Sequence, residues 1–116
     1  MIKVGIIGGA GYTAGELIRI LINHPAAEIV FVQSSSNAGN PVTSVHEDLA
    51  GETDLLFTSE MPLEKVDVVF LCMGHGKSVE FMQNNNLLDW CFAENNELIS
   101  IFVKSIETAK KNNNKK

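Results

Sequence analysis

Ile2-Lys3-Val4-Gly5-Ile6-Ile7-Gly8-Gly9-Ala10-Gly11-Tyr12-Thr13-Ala14-Gly15-Glu16-Leu17 is the stretch that decides the fold of this chain. Residues 2–7 are a short apolar run with one lysine, running into glycines, which suits a strand buried on both faces of a parallel sheet. From about residue 13 to 23, Ala14, Leu17, Ile18, Leu21 and Ile22 recur at helical spacing, and Pro25 cannot continue a helix. Residues 28–32 are β-branched and aromatic and pass into the polar run Gln33-Ser34-Ser35-Ser36-Asn37-Ala38-Gly39-Asn40-Pro41, a strand and then a loop. Two parallel strands joined by one helix make a βαβ unit, and residues 1–32 have the length that such a crossover needs.

Outward from that unit, strand and helix continue to alternate. A short strand is expected at Leu55-Leu56-Phe57 and a central one over residues 66–72, before the turn Gly74-His75-Gly76. A helix is expected over residues 78–85, ended by the asparagines at 84–86. Residues 87–93 read equally as helix or strand. Leu98, Ile99, Phe102, Val103 and Ile106 fall on one helical face and predict a terminal helix, followed by a disordered lysine- and asparagine-rich tail over residues 110–116. The fold class is α/β, a Rossmann-type three-layer sandwich with a mostly parallel sheet. Residues 1–88 form its nucleotide-binding domain, and residues 89–116 form the terminal helix and tail.

The totals bound what such a chain does. Its 116 residues, 45% of them hydrophobic, suit one compact domain and leave no room for a second lobe. Before position 104 four basic residues face thirteen acidic ones, so the body carries a net −9 although the whole chain carries −5. An acidic body repels polyphosphate backbones, and no nucleic-acid partner is expected. Cys72 and Cys91 lie in apolar surroundings without metal-ligand spacing and read as buried free thiols. No leader or membrane span is expected at the start, and the cytoplasm is the default location.

The chemistry is written at the first turn. Glycines there let the backbone turn tightly and approach a pyrophosphate, whose charge meets free amides and the positive end of the following helix. The spacing Gly8-x-x-Gly11-x-x-Ala14 fits that need, with Ala14 small enough for close helix-to-strand packing. Tyr12 and Thr13 sit beside it; Tyr12 either covers a cofactor or packs on the sheet. The end of the second strand selects the dinucleotide, because a carboxylate there repels the extra phosphate of NADP. This chain has Gln33 and then Ser34, Ser35 and Ser36, whose hydroxyls suit a 2′-phosphate, so NADP is expected over NAD, unless the serines are simply a solvated loop. No arginine or lysine occurs between Arg19 and Lys65 to help. Gly74, His75 and Gly76 follow the central strand and are expected to line the nicotinamide half; His75 is either a turn residue or a donor to cofactor or substrate, while Lys77 and Ser78 start a helix. His46-Glu47-Asp48 reads as a polar loop without converging metal partners, and His24 before Pro25 as a helix ending.

These residues resemble a known family. Residues 8–17, then Asn23-His24-Pro25, Ser34-Ser35-Ser36-Asn37-Ala38-Gly39, Val45-His46 and Gly74-His75-Gly76-Lys77-Ser78 are together similar to N-acetyl-γ-glutamyl-phosphate reductase. The resemblance implies NADPH-dependent reduction of an acyl phosphate, N-acetylglutamyl phosphate, to the semialdehyde in arginine biosynthesis. It also implies a thioester-forming cysteine and an acid/base histidine in a second lobe. Ser35 stands where the family commonly has arginine. Cys91-Phe92-Ala93 matches three letters of the family's Gly-Cys-Phe-Ala-Thr motif, but Trp90 replaces the glycine and Glu94 the threonine; Cys91 reads as a packing residue. The likeness fades after about Asn86, so the expected object is a truncated or altered reading of a longer enzyme, which binds cofactor and has no catalytic residue of its own. Two other readings compete. One is a non-catalytic nucleotide-binding or oligomerisation module, with Leu98, Phe102 and Ile106 as an exposed stripe for a second copy or a lost partner. The other is an aspartate-semialdehyde dehydrogenase relative, against which Tyr12-Thr13-Ala14-Gly15-Glu16 speaks.

Overall fold

The computed structural model describes residues 1–72, 90–95 and 99–104. Its chain order is β1 (Ile2–Ile7), α1 (Tyr12–Ile22), β2 (Ala27–Gln33), β3 (Phe57–Thr58), β4 (Val68–Leu71), β5 (Trp90–Asn95) and β6 (Ser100–Lys104). All six strands join one sheet in the order β3-β2-β1-β4-β6-β5. β1 runs parallel to β2 and β4, and β2 runs parallel to β3. β6 is antiparallel to both β4 and β5, so three of the five pairings are parallel. This is the expected α/β, mostly parallel, Rossmann-type sheet.

Alternation along β1 explains why its run is apolar throughout. Successive side chains point to opposite faces, so Val4 and Ile6 join one buried cluster while Ile7 joins the other. The first cluster takes Ala14, Ile18 and Leu21 from α1, a spacing of four and three residues that puts them on one helical face. Complete burial of Ile18 contributes about 2 kcal/mol. The second cluster, on the other side of the sheet, gathers Phe31, Val66, Val69, Leu71 and Phe102. α1 is the helix seen among the described residues; the one expected over residues 78–85 lies outside them.

α1 begins without a side-chain cap and ends at Asn23, whose N–H donates to Leu21 O and whose side-chain Nδ2 donates to Arg19 O at 3.1 Å. The long connection from β2 to β3 contains two single-turn 3-10 helices, Val42–Ser44 and Glu47–Leu49. They drive Val42 and Leu49 into the first cluster, which fixes the loop to the sheet.

The terminal helix read from Leu98, Ile99, Phe102, Val103 and Ile106 is corrected by the structure: Ser100–Lys104 is a strand. Short apolar runs satisfy helix and strand templates alike. Here Ile101-Phe102-Val103 supplies β-branched and aromatic residues to the open side of β4, pairing Val103 with Val68 and Ser100 with Leu71. That pairing satisfies backbone groups that an unmatched β4 would leave bare. Phe102 is completely buried, so it is not part of an exposed stripe; Leu98, Ile106 and the tail over residues 105–116 lie outside the described residues. The strand expected at Leu55-Leu56-Phe57 is shorter and later, at Phe57–Thr58, and Leu56 instead forms an isolated antiparallel bridge with Pro41.

Candidate functional site

The carboxyl ends of β3, β2, β1 and β4 lie side by side, tied by Ser34 N donating to Thr58 O (2.9 Å), Gly9 N to Gln33 O (2.8 Å) and Cys72 N to Ile7 O (2.9 Å). The chain leaves β1 through α1 to β2 on one side, while β4 lies on the other. Where strand order reverses in this way, an open parallel sheet leaves a crevice beyond the strand ends.

The glycine turn occupies that crevice, and its glycines do different things. Gly8 has φ +77°, a left-handed conformation that side chains disfavour. Its N–H donates to Gln33 Oε1 at 3.3 Å. A Cβ on Gly9 would stand 2.2 Å from Cγ1 of the fully buried Val32, so only glycine lets the turn lie on β2. Among the described residues, a Cβ on Gly11 would meet nothing within 4 Å. Gly11 is exposed and extended (φ −78°, ψ 164°) as α1 begins, so packing against the described residues does not require glycine there.

A helix leaves its first four N–H groups without intrahelical partners. α1 has neither a side-chain cap nor an acidic residue in its first turn to meet them. The positive end of the helix therefore faces the open side of Gly11, which suits a pyrophosphate. Ala14 is completely buried in the first cluster and performs the close-packing role expected of it. Thr13 is half-buried, and Tyr12 is 84% exposed, which places it off the sheet and beside the turn.

At the end of β2 the three serines form a small network. Ser35 Oγ accepts from Gln33 Nε2 (3.1 Å), while Ser34 Oγ and Ser36 Oγ accept from Asn37 Nδ2 (3.2 and 3.3 Å). A hydroxyl whose oxygen accepts from an amide still has its own proton to donate. Ser35 and Ser36 are exposed and Ser34 is buried. Gln33 joins the two halves of the site, accepting from Gly8 N and donating to Ser35. Arg19 is turned to other work: it pairs with Glu16 on the exposed side of α1, and that hydrogen bond and charge hold its guanidinium above its ordinary range.

His46 corrects the sequence reading of a polar loop. It is 7% exposed, its Nε2 lies 2.7 Å from Gly9 O, and its ring leans on Phe57 with centroids 6.2 Å apart. The sequence carried one sign of it: Gly15, a costly residue inside a helix, whose Cβ would come within 2.5 Å of His46 Nδ1.

Cys72 ends β4, half-buried, and burial pushes its thiol up to about 11. A thiol so protonated at neutral pH is a poor nucleophile. Gly74, His75 and Gly76, with Lys77 and Ser78, lie outside the described residues, as does the side chain of Cys91. Among the described residues no cluster of His, Cys, Asp or Glu is arranged to hold a metal ion, and no helix is long and apolar enough to cross a membrane.

Comparison with known proteins agrees with this geometry. Residues 3–95 match the family model described as semialdehyde dehydrogenase, NAD binding domain. Over 87 residues the chain is 66% identical to the N-acetyl-γ-glutamyl-phosphate reductase of Bacteroides fragilis and 64% identical to that of Bacteroides thetaiotaomicron, in each case covering 75% of this chain and 27% of the relative. The similarly named protein of Flavobacterium johnsoniae is 52% identical over 101 residues, 87% of this chain and 29% of its own length. The chain thus spans little more than a quarter of the curated relatives it matches. With a strand-glycine-helix turn at the switch point of a parallel sheet, and a family match over most of its length, the chain belongs to the family of semialdehyde dehydrogenase NAD-binding domains.

Proposed function

We propose that this chain is the NADP(H)-holding portion of an N-acetyl-γ-glutamyl-phosphate reductase, a cytoplasmic oxidoreductase of arginine biosynthesis. In the complete enzyme NADPH reduces an acyl phosphate, N-acetylglutamyl phosphate, to the aldehyde with release of phosphate. The observation that carries this reading is the open face of Gly11 at an uncapped helix start, set beside the closely packed Gly9. The relatives' shared name supports the choice of reaction.

Within this reading Gly8, Gly11, Tyr12, Thr13 and Ala14 form the turn that receives the pyrophosphate, with Ala14 acting through packing. Ser35 and Ser36 donate to the 2′-phosphate of the adenosine ribose, and Ser34 supports them from the buried side of the segment. Gly74, His75 and Gly76 are assigned to the nicotinamide half. Bound NADPH supplies hydride. The residues of this chain bind and orient; none is assigned a covalent step, and the protonated, half-buried thiol of Cys72 supports that division.

Titrating the 116-residue chain with NADPH and with NADH, followed by nicotinamide fluorescence, tests the reading. Saturable binding with NADPH preferred is expected, without turnover of an acyl phosphate. A folded chain that binds neither nucleotide overturns it.

A further inference from the structure

His46 sits 37 residues from the glycine it touches, in the loop after β2. Its backbone is held on both sides, by His46 N donating to Val42 O (3.0 Å) and Leu49 N donating to His46 O (3.0 Å). A carbonyl oxygen only accepts, so the 2.7 Å contact with Gly9 O means that Nε2 carries the proton. The Gly9–Ala10 peptide is trans, and the C=O and N–H of a trans peptide point in opposite directions. Drawing Gly9 O toward the buried ring therefore turns the Ala10 N–H the other way, out of the core. Gly9 N is already given to Gln33 O, so this residue is fastened at both its amide and its carbonyl.

The other edge of the ring meets α1. A Cβ at position 15 would lie 2.5 Å from His46 Nδ1 and 2.8 Å from its Cε1. Glycine inside a helix is less favourable than alanine by about 1 kcal/mol, yet only glycine makes room for the imidazole here. Turn, helix and loop thus meet at one side chain, on the buried side of the turn.

We propose that His46 is a positioning residue for the cofactor: its Nε2–H bond to Gly9 O sets the direction of the Ala10 amide in the pyrophosphate turn, and Gly15 is glycine to admit the ring. This rests on the reading that residues 8–15 hold a nicotinamide dinucleotide. Loss of the donor misaligns the turn and weakens binding, even where the ring's shape is kept.

The test compares NADPH binding by the unaltered chain with His46→Phe, His46→Gln, Gly15→Ala, His46→Ser and the double variant His46→Ser/Gly15→Ala. Far-UV circular dichroism checks that each is folded. His46→Phe keeps a ring without the donor and is expected to bind about tenfold more weakly, whereas His46→Gln, which restores an N–H at similar reach, stays within about threefold. Gly15→Ala weakens binding alone but adds nothing once His46→Ser has removed the ring, because the two changes act on one contact. In the unaltered chain, nitrogen-15 NMR of the imidazole should show a proton on Nε2 that exchanges slowly. If the unaltered chain binds NADPH and a folded His46→Phe binds it equally well, the inference fails alone. An Nε2 without a proton overturns it whether or not any variant folds, and no binding by the unaltered chain overturns the cofactor reading and this inference together.

Discussion

The glycine turn and the serine segment lie at the ends of adjacent strands, yet they are built on opposite plans. In the turn, shape is imposed from beneath by neighbours that leave no choice. Val32 presses on Gly9, His46 holds its carbonyl, and Gln33 takes the amides of both Gly8 and Gly9. In the serine segment the backbone is tied to the sheet at Ser34, but the three hydroxyls are held by side chains alone, and two of the three serines are exposed. Rigid backbone suits a group common to all dinucleotides, the pyrophosphate. Exchangeable hydroxyls suit the part that differs between NAD and NADP. Substitutions in the turn should therefore damage fold and binding together, and substitutions among the serines should change preference and leave the fold alone.

The largest break in that contrast is expected from Gly9→Val, which forces atoms into the space of Val32 Cγ1. Overpacking of this kind costs about 3 kcal/mol, visible as an earlier urea midpoint with NADPH binding lost as well. Gly8→Ala follows, because a side chain at φ +77° is strained; a loss of about 1.5 kcal/mol is expected in the same melt. Ser35→Arg sharpens the contrast from the other side. A guanidinium there adds a charge-assisted bond to the 2′-phosphate and should raise the ratio of NADPH to NADH affinity about tenfold with an unchanged melt. Ser36→Ala should lower NADPH affinity about threefold, leaving NADH binding and stability as they were. The smallest effect concerns the third strand end. Burial favours the neutral Cys72 thiol in the folded chain, so the unfolded thiol ionises first as pH rises. Its contribution to stability is complete below the ordinary thiol range and is lost on the way up to about 11. Denaturant melts across that interval should show the fall, and Cys72→Ala should lessen it.

Local signals in the sequence carried much of this. The apolar run Ile2–Ile7 became β1 with those bounds, and the spacing of Ala14, Ile18 and Leu21 became the buried face of α1. Gln33 was legible as a strand end without a carboxylate, but its bond to Gly8 needed the sheet register to bring the two together. His46 was hard to read because its partner is distant in sequence and its one local sign, a glycine at position 15 inside a helix, does not name the ring that fills the space. At residues 98–106 one spacing served two periodicities, and β4's need for a hydrogen-bonded neighbour decided between them.

The double fastening of Gly9 has a consequence for protein engineering. Residues 8–15 look like a portable cassette, a short peptide to be grafted after any buried strand in place of its own turn. Without a neighbouring strand whose last carbonyl meets Gly9 N and whose glutamine side chain meets Gly8 N, and an imidazole arriving from a separate loop, the transplanted peptide would keep its letters and lose its shape. The transferable unit is a set of three segments separated in sequence, and a successful graft has to move all of them.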